Sequence, residues 1–216
     1  MLSQSVASAL REAISAGEFQ PGERLSEVKA AERFNCSRNT LRESFTRLAA
    51  ERIVERIPNR GVFLAMPDAD YIRDLFAARA AIEPAAVRWG AFADAPSLVT
   101  LTSSAFDYAA RGEHQEVSAI NQRFHRTLVA ALGSPTLNEQ MDNLLARMRL
   151  TFLLAIPRYP QLHADHIQGN ITLATLIADG KRDEAATLAH DSLMNTCGKI
   201  LACLLYTSPS PRDRTR

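Results

Sequence analysis

Apolar residues recur every three or four positions over most of this chain, and one short stretch breaks that rhythm. Val6, Leu10 and Ile14 stand four apart within residues 3–16 and mark one face of a helix. Ser3 is its expected N-cap, Gly17 its stop, and Pro21-Gly22 a turn. Ser26 and Glu27 open a second short helix to Phe34, with the stop at Asn35 or Cys36. Ser37 caps a third, which buries Leu41, Phe45 and Leu48 and turns Arg38, Arg42 and Glu43 outward. After Glu51 the period changes. Ile53-Val54, Ile57 and Val62-Phe63-Leu64 are short strand-like runs around a hairpin turn at Pro58-Asn59-Arg60-Gly61. Residues 1–66 therefore read helix, helix, turn, helix, hairpin.

Pro67-Asp68 is the expected boundary, and every later segment reads as helix. Residues 68–92 carry Tyr71, Ile72, Leu75, Phe76 and Ile82, with Pro84 expected to kink or split them. Asp94 caps a helix to about Arg111 with Pro96 in its first turn, and Gly112 separates it from 113–132. Gly133-Ser134-Pro135 is a stop, a cap and a first-turn proline in succession. Residues 136–156 form a long apolar helix with Leu137, Met141, Leu144, Leu145, Met148 and Phe152 as core. A loop bracketed by Pro157 and Pro160 leads to helices of about 161–179 and 181–205, divided at Gly180. The expected fold is mainly α: an N-terminal winged helix-turn-helix followed by an all-α bundle of six or so helices. Residues 206–216, rich in Pro, Ser and Arg, read as a non-native or disordered tail.

Composition narrows the function. The 216 residues are 46% hydrophobic and 23% charged, a globular balance. No uncharged run reaches about 18 residues, so no membrane helix is expected. Arg11 and Glu12 break any secretory apolar segment, and three cysteines form no pairing pattern; a reducing cytoplasm follows as the expected home. The formal charge of +1 is uneven. Seven arginines between residues 33 and 60 face only three glutamates, so this segment reads either as a phosphate-facing surface or as a solvated helix face.

Ser37-Arg38-Asn39-Thr40-Leu41-Arg42 has the chemistry of a recognition-helix start. Arg38 and Arg42 lie one turn apart and can each grip guanine bidentately, while Asn39 can pair with adenine. The Ser37 and Thr40 hydroxyls suit a phosphate, and Arg47 extends the cationic set. Arg60 beside Gly61 at the hairpin tip suits a minor groove.

These residues also carry a resemblance. Pro21-Gly22, Leu25-Ser26-Glu27, Ser37 to Glu43 and Asn59-Arg60-Gly61-Val62-Phe63 resemble the winged helix of GntR-type bacterial transcription regulators. Arg79 to Pro84, Asn121 to His125 and Gly180 to Ala185 resemble the FCD effector domain of that family's FadR-like branch. The resemblance implies a homodimer on a palindromic double-stranded DNA operator, with affinity modulated by a small molecule, an organic acid above all. It divides the chain at residues 1–66 for DNA binding and 67–205 for effector binding and dimerisation.

The resemblance also implies a metal site: Asp or Asn four residues before a His, then a His on each of two later helices. Asn121 and His125 meet the first part. Asn170 stands where the second His is expected, and no His stands near Ser192 or Leu193; His166, one turn earlier, can substitute. The candidate metal ligands are thus Asn121, His125 and His166, an incomplete set for a divalent ion such as zinc. The candidate effector contacts are Arg79, Asn121, His125, His166 and Asn170. His125 reads equally as a core imidazole, and Arg79 either as a carboxylate clamp or as the partner of Glu83. An alternative class, a metal-dependent helical hydrolase or lyase using His125, His163 and His166, lacks a nameable general base and every common catalytic motif.

Overall fold

The computed structural model describes residues 3–205, apart from the side chains of His163 and Leu205. The tail 206–216 lies outside the described residues. The winged unit begins with α1 (Ser3–Ser15), β1 (Arg24–Leu25), α2 (Glu27–Arg33) and α3 (Arg38–Ala50), and ends with β2 (Val54–Ile57) and β3 (Gly61–Leu64). The Ser26 hydroxyl accepts from Lys29 N–H and the Ser37 hydroxyl from Thr40 N–H, so both short helices start where the sequence places their caps. Between them Asn35 takes a left-handed φ of 46° and stops α2.

The sheet has the order β1-β3-β2 and is antiparallel throughout. Ile57 pairs with Gly61 across a turn whose Asn59 is left-handed at φ 59°. β1 is an addition to the expected elements: Arg24 faces Phe63 and Leu25 faces Val62. Leu25, Leu41, Phe45, Leu48, Ile53, Val54, Val62 and Leu64 close a core with Val6, Leu10 and Ile14 of α1.

Six helices follow: α4 (Ala69–Trp89), α5 (Ala95–Ala110), α6 (His114–Ala130), α7 (Pro135–Ala155), α8 (Leu162–Ala178) and α9 (Arg182–Leu205). Asp68, Asp94 and Ser134 cap α4, α5 and α7 through their side chains. The expected break at Pro84 does not occur; α4 runs through it. An interior proline costs about 3 kcal/mol. Phe76 before it and Ala86 and Val87 after it are fully buried, and burying each large apolar side chain returns roughly 1.5–3 kcal/mol.

The two parts share a joint. Ala146 and Leu150 of α7 belong to the same core as α1 and the sheet. Gln122 on α6 donates to the Ser15 carbonyl at 2.6 Å, at the end of α1. Arg149 on α7 is buried beside Gly17 and donates to the Ser118 hydroxyl. Gly17 has φ +82°, a left-handed conformation that favours glycine, and a Cβ there would have to displace the Arg149 guanidinium.

Candidate functional site

Two surfaces of different character emerge. On α3 the buried face is Leu41, Ser44, Phe45 and Leu48. Ser37, Arg38, Asn39, Arg42 and Arg47 are exposed and Thr40 is half-buried. The polar residues hold one another in place. Ser37 and Thr40 share a hydroxyl contact at 2.8 Å, and Asn39 donates to Glu43 at 3.0 Å. Arg42 crosses to Glu27 of α2 at 3.1 Å, not to its neighbour Glu43. Arg38 lines an open groove between α2 and α3 with Cys36 and Ser37.

The structure gathers Ser37 to Arg42 at one end of α3. Arg47, nine positions beyond Arg38, lies about half a revolution round the helix and so at the opposite edge of the exposed face. At the wing tip Arg60 is exposed and lies over the Phe63 ring at 5.8 Å. Gly61 has φ +111°, so the turn itself requires glycine. Sequence reasoning missed Arg56, which donates to Thr46 at 3.0 Å and braces the wing strand against α3. A strand residue and a helix residue ten apart give no periodic signal.

The second surface reaches into the helical unit. A cavity of about 120 Å3, partly open to solvent, is lined by α4, α6, α8, α9 and the loop before α8. Glu83 and His125 form one wall, with Asn170, Ser192, Asn195 and Thr196 as polar neighbours. Tyr159, Asp165 and Lys199 form a more exposed cluster in the same lining: Lys199 donates to Asp165 at 2.8 Å, and the Tyr159 hydroxyl donates to Asp165 as well. These bonds, chiefly that of Lys199, lower the Asp165 carboxyl below its ordinary value.

Glu83 organises the polar wall. One carboxylate oxygen accepts from Arg79 Nε at 2.6 Å and the other lies 2.7 Å from His125 Nδ1. Burial pushes the Glu83 carboxyl up, but the charges and hydrogen bonds of Arg79 and His125 outweigh it and bring it down to about 2. The ionised carboxylate accepts the ring proton on Nδ1. His125 Nε2 is buried and has no partner.

The expected effector residues divide. His125, His166 and Asn170 line the cavity. Asn121 instead lines a smaller neighbouring space of about 10 Å3 and accepts from Asn170 Nδ2 at 2.7 Å. Arg79 lines neither. It is 1% exposed and spends its guanidinium on Glu83 and on Met148 Sδ, so of its two readings the ion pair is the one realised. His166 Nδ1 lies 2.6 Å from the Leu162 carbonyl oxygen, and its ring packs edge-on against Phe152.

The donor set does not fit a divalent metal. Among the described residues no group of three His, Cys, Asp or Glu converges. Asn121 and Asn170 satisfy each other, and the Glu83 charge is already met by Arg79. Sequence reasoning also missed the Ser192, Asn195, Thr196 and Lys199 stripe of α9, whose three-to-four spacing on one helix face was the available signal.

With this geometry in view the comparisons are decisive about class. Residues 2–64 match the bacterial regulatory proteins of the gntR family, and residues 74–195 match the FCD domain. The chain belongs to the GntR family and is a transcription regulator, not an enzyme. It is 29% identical over 205 residues to the Nta operon transcriptional regulator of Aminobacter aminovorans, covering 90% of this chain and 96% of that one. It is 28% identical to the galactonate operon transcriptional repressor of Escherichia coli, over 63% of this chain and 69% of that protein. A GntR transcriptional regulator from Rhodococcus sp. RHA1 superposes with a TM-score of 0.79 at 29% identity, over 93% of this chain and 97% of that chain. No described helix is long and apolar enough to cross a membrane.

Proposed function

We propose that this regulator binds a palindromic operator as a homodimer in the cytoplasm and changes its affinity when a small carboxylate fills the cavity of the helical unit. Residues 1–66 read DNA; residues 67–205 bind the effector and dimerise. Ser37, Arg38, Asn39, Thr40 and Arg42 contact one major groove, Arg60 and Gly61 the adjacent minor groove, and Arg47 a flanking phosphate. The observation that carries the reading is the exposed polar start of α3 joined to a bundle whose partly open cavity is lined by charged and polar side chains.

The carboxylate is best met by Lys199, the half-exposed cation of the lining, which can exchange Asp165 for the ligand. His125, His166 and Asn170 supply the remaining polar wall. The galactonate in one relative's name is itself a carboxylate, which supports the class.

A gel-shift series on the DNA flanking the regulator's own coding region tests this. Arg38→Ala is expected to weaken the complex and reduce the salt dependence by about one counterion. Addition of the effector is expected to shift the wild-type titration. Specific binding by a species shown to be monomeric, or a titration that Arg38→Ala leaves in place, would overturn the reading.

A further inference from the structure

We infer that Arg24 of β1 is a further DNA contact, a clamp on a backbone phosphate bordering the groove that the wing tip enters. This rests on the DNA reading of the winged unit and adds a residue outside both α3 and the hairpin turn. β1 is an edge strand of the sheet, and Arg24 stands opposite Phe63 of β3. Its side chain runs along the sheet toward the tip: its Nε lies 3.3 Å from where a Cβ on Gly61 would stand. Residues opposite one another share a sheet face, and so do residues two apart on one strand, which puts Arg24, Phe63 and Gly61 on the same face. Arg60 lies over the Phe63 ring at 5.8 Å. Arg24 and Arg60 thus bring two guanidiniums to the start of β3.

Most arginines of the winged unit are tied down. Arg11 holds Glu51, Arg33 holds Glu18, and Arg52 holds Asp74. Arg24 is exposed, and among the described residues its guanidinium has no hydrogen bond or ion pair. The nearest acids in sequence and register are otherwise placed: Glu23 accepts from the Gln20 N–H at 2.9 Å, and Glu55 lies across Phe63 on β2. In this freedom Arg24 matches Arg38, Arg47 and Arg60, the proposed DNA contacts that also lack a carboxylate. A free guanidinium meets an anion without first breaking a bond, and its fork fits two phosphate oxygens at once. The place favours phosphate over base. β1 lies one strand, about 4.8 Å, to the side of β3, so Arg24 falls beside the tip, where a sugar-phosphate wall runs, and not at its point.

The test is fluorescence anisotropy of full-length protein on two duplexes, the DNA flanking the regulator's own coding region and a scrambled sequence of equal composition, over a range of salt. Arg24→Ala is expected to lower the slope of log affinity against log salt by about one on both duplexes, which amounts to roughly eightfold weaker binding at about 0.1 M salt. Arg24→Lys is expected to keep the wild-type slope, and both variants the wild-type denaturation midpoint. A loss confined to one duplex, or a slope lowered equally by Arg24→Lys, would overturn the phosphate clamp. Arg24→Ala binding like wild type while Arg38→Ala binds more weakly would overturn it and leave the DNA reading in place. Wild-type binding by both alanine variants would overturn the two together.

Discussion

Arg42 and Glu27 meet at 3.1 Å on the outside of the winged unit, and Arg79 and Glu83 meet at 2.6 Å inside the bundle. The side chains of the first pair are 59% and 33% exposed, those of the second 1% each. Identical chemistry in these two settings serves opposite ends. The outer pair is held by water-screened attraction worth roughly 0–1 kcal/mol, so Arg42 can leave Glu27 for a phosphate or a base at little cost. The inner pair is out of water, and losing Glu83 strands the Arg79 charge with only Met148 Sδ beside it. The outer face of α3 is built from exchangeable contacts, the Glu83 side of the cavity from fixed ones.

The largest expected effect strikes the inner pair. Glu83→Gln leaves Arg79 buried without its counter-charge and frees His125, and is expected to cost about 3–5 kcal/mol in denaturant unfolding. A loss below about 1 kcal/mol would erase the contrast drawn above. Acid titration probes the same group in the wild-type protein. The folded Glu83 carboxyl stands at about 2 against an ordinary 4.5. A depressed folded value means stabilisation that is fully present above about pH 4.5 and disappears as pH falls toward 2, on the order of 3 kcal/mol in all. Unfolding free energy measured from pH 6 down to 2 should bend in that window, and the bend should shrink in Glu83→Gln.

The outer pair should respond in binding, not in folding. Arg42→Ala is expected to weaken operator binding by about 1–3 kcal/mol in gel shift, while its denaturation midpoint stays within the range of an exposed pair. The smallest effect belongs to Glu27→Gln. It removes the competitor for Arg42, so operator affinity should hold or rise slightly; a marked fall would mean that Glu27 positions Arg42 and does not merely occupy it.

What the sequence disclosed follows the same division. Caps at Ser26, Ser37, Asp94 and Ser134 were legible because a cap is local: one side chain and the N–H a turn away. The two-residue β1 was not, since so short a strand has no alternation to read, and it exists by pairing with residues almost forty positions later. Pro84 carried a correct local penalty that packing on both sides overrode. In the cavity, His125 and Asn170 were legible as candidates through the family pattern. Their arrangement was not, because the Asn121–Asn170 bond joins residues 49 apart and the Arg79–Glu83 pair looks the same on paper whether exposed or buried.

On α6, Asn121 bonds toward the cavity side while Gln122, the very next residue, holds the Ser15 carbonyl at the end of α1. Consecutive positions on a rigid rod cannot be moved separately. A displacement of α6 itself carries both side chains, and with them the end of α1, so the helix is a shared shaft between the proposed effector cavity and the proposed DNA-reading unit.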